Sequence, residues 1–120
     1  MRIAAGLALD CALIVLFAAI GRRNHAETGA VVDILRTAWP FLAGMAAGWL
    51  FCLLVLRQVP LQLRGGVPVW LSAVALGMVL RNLTGEGTAL AFIIVATLFL
   101  GAGLLGWRGV VARLASRRRA

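Results

Sequence analysis

The stretch "LALDCALIVLFAAIGRRNH" at positions 7–25 sets an aspartate, Asp10, inside an apolar run that ends on two arginines and a histidine. The run starts at position 3, and three more follow at 40–56, 68–83 and 88–107. Each is ~16–20 residues long, and a helix rising ~1.5 Å per residue needs about 20 to cross a ~30 Å hydrocarbon core. The third run is short, and long arginine side chains can extend its reach by snorkelling. In lipid only helices and closed barrels satisfy their own backbone hydrogen bonds. The alternating pattern of a barrel strand is absent. The expected fold is therefore all-α: an integral membrane four-helix bundle, with residues 1–120 forming one transmembrane domain.

Composition agrees. Of 120 residues, 62% are hydrophobic and only 13% are charged, against roughly 25% charged in water-soluble domains. Mean hydropathy is +0.99. The basic residues are twelve arginines and no lysine, set against four acids for a net charge of +8. These arginines flank apolar spans, so the expected partners are anionic lipid head groups and not nucleic acid. Cys11 and Cys52 both lie in apolar segments and read as small buried hydrophobes. With a single histidine, no His/Cys metal site is expected, nor any cofactor. The first run lacks a good A-x-A cleavage site and is interrupted by Asp10, so it reads as a retained helix and not a cleaved leader.

Pro40 and Pro68 stand where a first helical turn tolerates a missing N–H. "RGG" at 64–66 reads as a tight turn. "TGEGT" at 84–88 is a short connection, with Thr88 as N-cap, that forces the third and fourth spans to be antiparallel neighbours. "AVVDILRTAW" at 30–39 puts Val31, Ile34, Leu35 and Ala38 on one face. That pattern fits either a short interfacial amphipathic helix between the first two spans or an early, tilted start to the second. The tail at 108–120 is basic and is expected to fray.

Arginine placement predicts orientation. Arg2, Arg57, Arg64, Arg108, Arg113, Arg117, Arg118 and Arg119 fall on one side, and Arg22, Arg23, Arg36 and Arg81 on the other. The positive-inside rule makes the first side cytoplasmic, with both termini inside. The expected location is a bacterial plasma membrane. Trp39, Trp70 and Trp107 fall near span ends, as in an aromatic belt, whereas Trp49 packs between helices.

Asp10 sits ~15 Å below the outer end of its span. A charge at such depth costs roughly 2.5–3.5 kcal/mol on insertion scales, and intramembrane acids often mark proton or ion pathways. The alternative is a polar contact between helices, with Thr97 and Ser72 at similar depth and Arg81 as a more distant partner. Small residues mark expected packing faces: Ala8 and Ala12 on the first span, Gly44 and Gly48 on the second, Ala102 and Gly106 on the fourth. The same faces would serve a homodimer. An outer polar cluster gathers Arg22, Arg23, His25, Glu27, Arg36, Asn82 and Glu86, either as a network of interfacial charges or as an anion pocket.

"GRRNHA" (21–26), "TAWPFLAGMAAGWL" (37–50), "GMVLRNLTGEGTALAFIIVATLFL" (77–100) and "GWR" (106–108) together resemble a small actinobacterial four-span membrane family, domain of unknown function 3054. The motif positions would be Asp10, Gly21, Arg22, His25, Trp39, Pro40, Phe41, Gly44, Gly48, Trp49, Arg81, Trp107 and Arg108. The resemblance implies a four-helix membrane protein and carries no activity, ligand or catalytic residue. Without a nucleophile–base pair or a metal cluster, the expected function is that of a non-enzymatic membrane component. A small proton- or ion-coupled transporter using Asp10 is the rival, and a lipid-linked enzyme using His25 is a third reading.

Overall fold

The computed structural model describes residues 2–21 and 30–119. It contains four helices: α1 (Ile3–Gly21), α2 (Ala30–Leu54), α3 (Leu63–Leu83) and α4 (Leu90–Arg119). All four are long and apolar enough to cross a membrane, and no strand occurs among the described residues. Each helix packs on its neighbours in the chain, and α4 closes back onto α1. The diagonal pairs make no close backbone approach, although Phe41 of α2 and Phe92 of α4 meet across the core. The N-termini of α1 and α3 thus share one end of the bundle with the C-termini of α2 and α4.

The core is a column of side chains inside this square. On α1, Ile14, Phe17 and Ala18 point inward. On α4, Ala96, Leu100 and Leu104 do so every four residues, as one face of a 3.6-residue helix requires. Phe17 packs edge-on against Phe41, their ring centroids 5.5 Å apart, and also touches Phe92 and Phe99. The outer surface is apolar too: Leu83 is 73% exposed, and Leu54, Leu90 and Leu98 face outward with it. A surface of that kind is stable against lipid.

The closest seam joins α2 to α3. A Cβ at Gly44 would lie 2.7 Å from the Ser72 carbonyl oxygen, and one at Gly48 would lie 2.9 Å from the Val69 Cα. Glycine therefore brings the two backbones into contact, and the Ser72 hydroxyl donates to the Gly44 carbonyl at 2.7 Å. Helix association in lipid depends on such close packing and interhelical hydrogen bonds, because lipid supplies no hydrophobic drive.

Several boundaries differ from those expected. Positions 31–39 belong to α2 itself, so the early-start reading of that segment holds. Pro40 and Pro68 lie inside their helices and not at the first turn. Each removes one N–H, which packed neighbours can offset in a membrane bundle. "RGG" is helical and forms the start of α3. α4 continues through Arg119, twelve residues past Trp107. At ~1.5 Å per residue its 30 residues rise about 45 Å, so one end extends beyond a ~30 Å core.

The α3–α4 connection closes with a complete Schellman motif. Glu86 N–H donates to the Arg81 carbonyl and Gly85 N–H to that of Asn82, with Gly85 left-handed at φ 81°. The Thr84 hydroxyl adds bonds to the Leu80 and Arg81 carbonyls. α4 begins at Leu90, two residues beyond Thr88.

Candidate functional site: a buried aspartate–arginine clamp

Asp10 lies seven residues into α1 from Ile3, about 10 Å along the axis. It belongs to the buried face Gly6–Asp10–Ile14–Phe17 and interrupts an otherwise apolar stripe. Arg108 holds the equivalent place on α4, where it extends the Ala96–Leu100–Leu104 column by one turn. Both side chains are 0% exposed.

They form a bidentate pair. Arg108 Nη1 donates to Asp10 Oδ1 at 2.9 Å and Nη2 to Oδ2 at 2.8 Å. Two tryptophans complete the shell: Trp107 Nε1 donates to Oδ1 and Trp49 Nε1 to Oδ2, each at 2.8 Å. A carboxylate has about four lone-pair positions and no donor. Four N–H groups from α2 and α4 occupy them. The guanidinium is held from behind as well, with Nε donating to the Pro60 carbonyl at 2.8 Å and Nη1 also donating to the Leu104 carbonyl at 2.9 Å.

Local sequence makes room for this arrangement. A Cβ at Gly6, one turn before Asp10, would strike Leu61, with the rims of Trp107 and Trp49 in van der Waals contact beside it. A Cβ at Gly66 would lie 2.7 Å from Arg108 Cδ. Pro60 is buried against Gly65, in the segment that links α2 to α3. All four helices and one connection therefore converge on a single ion pair. Removing one partner of a buried pair strands the other charge and typically costs about 3–5 kcal/mol, whereas replacing both with apolar residues is often neutral.

The other sequence candidates lie elsewhere. The Asp10 shell contains none of Ser72, Thr97 or Arg81. Ser72 serves the α2–α3 seam. The Thr97 hydroxyl donates to the Ile93 carbonyl of its own helix at 2.7 Å, and its carbonyl accepts Trp70 Nε1 at 3.0 Å. Arg81 sits at the opposite end, donating twice to the Gly87 carbonyl and lying 4.3 Å from the Phe92 ring centroid. With Glu86, Thr37, Phe17, Phe92 and Gly21 it lines a cavity of about 220 Å³. Arg36 pairs with Asp33 at 4.0 Å on the surface, and Asn82 is exposed. Arg22, Arg23, His25 and Glu27 lie outside the described residues. Gly44 and Gly48 face α3, whereas Ala8, Ala12, Ala102 and Gly106 are exposed on the bundle's outer face. Among the described residues no three His, Cys, Asp or Glu side chains gather as metal ligands would.

A family model for proteins of unknown function, DUF3054, matches residues 7–111. The chain belongs to the DUF3054 family. In this DUF3054 protein the whole clamp, from Asp10 through Trp49 and Pro60 to Arg108, lies inside the matched stretch. Most of the terminal arginines lie beyond it. No curated protein and no solved structure matches the chain.

The family resemblance includes Trp107 and Arg108 among its motif positions, but composition and spacing place Arg108 with the cytoplasmic arginines and Trp107 in an aromatic belt, and neither in a site with Asp10. A signal was present. The apolar pattern continues past Arg108 in Val110, Val111, Ala112 and Leu114, so a helix ending at Trp107 was too short and Arg108 was placed too far out.

Proposed function

We propose that this DUF3054 protein is a non-enzymatic helix-bundle component of a bacterial plasma membrane, with both termini in the cytosol, and that the Asp10–Arg108 pair fixes its architecture. The observation that carries this reading is the saturated carboxylate. Both oxygens accept two N–H donors each, at 2.8–2.9 Å, in a site closed to solvent. A proton or cation carrier needs an acceptor it can expose and refill. Asp10 is held on every side by groups that are themselves fixed in the bundle, so the transporter reading has no observation in its favour. With Arg108 set aside as buried, the orientation rests on an arginine asymmetry of seven to four.

Two measurements on intact cells and proteoliposomes test the proposal. A cysteine appended after Ala120 in a Cys11→Ser/Cys52→Ala background is expected to resist a membrane-impermeant maleimide until the cells are opened. In proteoliposomes under an imposed pH gradient, the wild-type protein is expected to match empty vesicles. Proton flux that vanishes in Asp10→Asn would overturn the structural reading.

A further inference from the structure

The stretch "RLASRRR" at 113–119 sets one hydroxyl, that of Ser116, among four arginines. α4 carries it past the rest of the bundle. Ser116 lies eight residues beyond Arg108, about 12 Å along the axis, whereas α1 reaches only about 10 Å beyond Asp10 on that side. Ser116 is exposed, and its hydroxyl makes no bond among the described residues. The other described hydroxyls, on Thr37, Ser72, Thr84, Thr88 and Thr97, lie along the spans or at the opposite end. Ser116 also borders a groove of about 540 Å³ between the start of α3 and the end of α4. Arg64 borders the same groove from α3, exposed and without an ion pair among the described residues. The one described acid at this end, Asp10, is already occupied by Arg108. An exposed hydroxyl thus stands in a field of positive charge that the protein does not neutralise.

We infer that Ser116 is a phosphorylation site and that Arg64 is the counter-charge that receives its phosphate. The inference rests on the cytosolic placement of the C-terminus proposed above. Arginine-directed protein kinases recognise a basic residue three positions before the acceptor by charge pattern, and Arg113 stands at that spacing. The kinase supplies a nucleoside triphosphate. A bond forms from Ser116 Oγ to the γ-phosphorus, and the bond from that phosphorus to the bridging oxygen breaks. The hydroxyl proton passes to the kinase's catalytic aspartate, and nucleoside diphosphate leaves. A kinase cleft takes its substrate extended, and helix ends open most readily. Ser116 is three residues from Arg119, the last residue of α4. Once attached, the phosphate carries about −1.5 to −2 charges and three acceptor oxygens. Arg64 stands across the groove, and arginine binds phosphate through paired N–H donors. The modification therefore ties the end of α4 to the start of α3 and closes the groove between them. An anion in a last turn opposes the helix dipole, so without Arg64 the same phosphate loosens that turn.

The test incubates the purified full-length chain, in detergent micelles, with ATP and an arginine-directed serine/threonine kinase. One phosphate is expected, mapped to Ser116 by mass spectrometry. Ser116→Ala is expected to take none, and Arg113→Gln to lower kcat/KM roughly tenfold, the effect of one charge-assisted contact. A bare Ser116, or uptake indifferent to Arg113→Gln, would overturn the assignment. Phosphorylation is expected to raise Tm by about 4 °C in the wild-type chain, and to leave it unchanged or lower in Arg64→Gln. An equal shift in both would overturn the role of Arg64. Sealed vesicles separate this inference from the orientation. Labelling of inside-out vesicles alone supports both. Labelling of right-side-out vesicles alone would overturn the cytosolic placement, and access for a cytosolic kinase with it. A chain unlabelled even in micelles would overturn the inference and leave the orientation standing. Chain recovered from its native membrane is expected to carry a phosphatase-sensitive phosphate on Ser116, and recovery of the bare chain alone would overturn the proposal. Melting curves of the unmodified variants matching wild type confirm that each is folded.

Discussion

The two ends of the bundle handle buried polarity in opposite ways. At the clamp end, one carboxylate and one guanidinium are sealed from solvent, and every carboxylate lone pair has a donor. At the far end, Arg81, Glu86 and Thr37 border a cavity of about 220 Å³. There Arg81 bonds a backbone carbonyl and lies over Phe92. Thr37 is 8% exposed, yet no hydrogen-bond partner reaches its hydroxyl among the described residues. The first end is over-determined: moving any one group strands another. At the second, among the described residues, the Thr37 hydroxyl takes no bond, and nothing described ties it to Arg81 or Glu86. In hydrocarbon the sealed arrangement fixes geometry because the alternative is an unpaired charge, with no water to take it up.

Breaking the clamp on one side should have the largest effect. Asp10→Leu leaves Arg108 buried without its partner and is expected to lower stability by about 3–5 kcal/mol, measured by denaturant or thermal unfolding in detergent micelles. Asp10→Leu/Arg108→Leu is expected to recover most of that loss, since no charge is left stranded. A double variant as unstable as the sum of its singles would refute coupling between the two residues.

Trp49→Phe sharpens the comparison from within the clamp. It keeps the aromatic bulk and removes one N–H donor to a charged acceptor, a loss of about 1.5–3 kcal/mol. Trp107→Phe should behave alike, and a null result for both would show that Arg108 alone satisfies the carboxylate.

The smallest effect is expected at the other end. Thr37→Val keeps the shape of a side chain whose hydroxyl makes no bond within the described residues. The same unfolding assay should register a change within about 0.5 kcal/mol. A loss above 1 kcal/mol would mean that the hydroxyl has a partner, and that this end is as constrained as the first.

The existence of four membrane-crossing helices was legible because hydropathy over long windows is a property of the sequence alone. Helix ends were less so. The prolines at 40 and 68 resemble first-turn residues, and nothing local shows that the backbone continues before them. The Gly44/Gly48 face was readable because two glycines four positions apart let another backbone approach closely. Ala8/Ala12 and Ala102/Gly106 carry the same spacing yet turn outward, since the α1 and α4 faces that look inward are set by Asp10 and Arg108. The pairing of those two residues is the least legible feature of the sequence. It needs α4 to close on α1 and needs Arg108 at the depth of Asp10, and neither follows from a window of sequence.

Asp10 belongs to the first helix and Arg108 to the last, 98 residues later. A ribosome adding about 5–20 residues per second therefore leaves the acid waiting roughly 5–20 seconds for its counter-ion. During that interval α1 resides in the bilayer, or beside the insertion machinery, with a lone carboxyl. A nascent chain stopped short of α4 can offer it the Trp49 N–H but no counter-charge. Emergence of α4 and closure of the bundle are thus one event, and a product lacking α4 is marked by the acid itself.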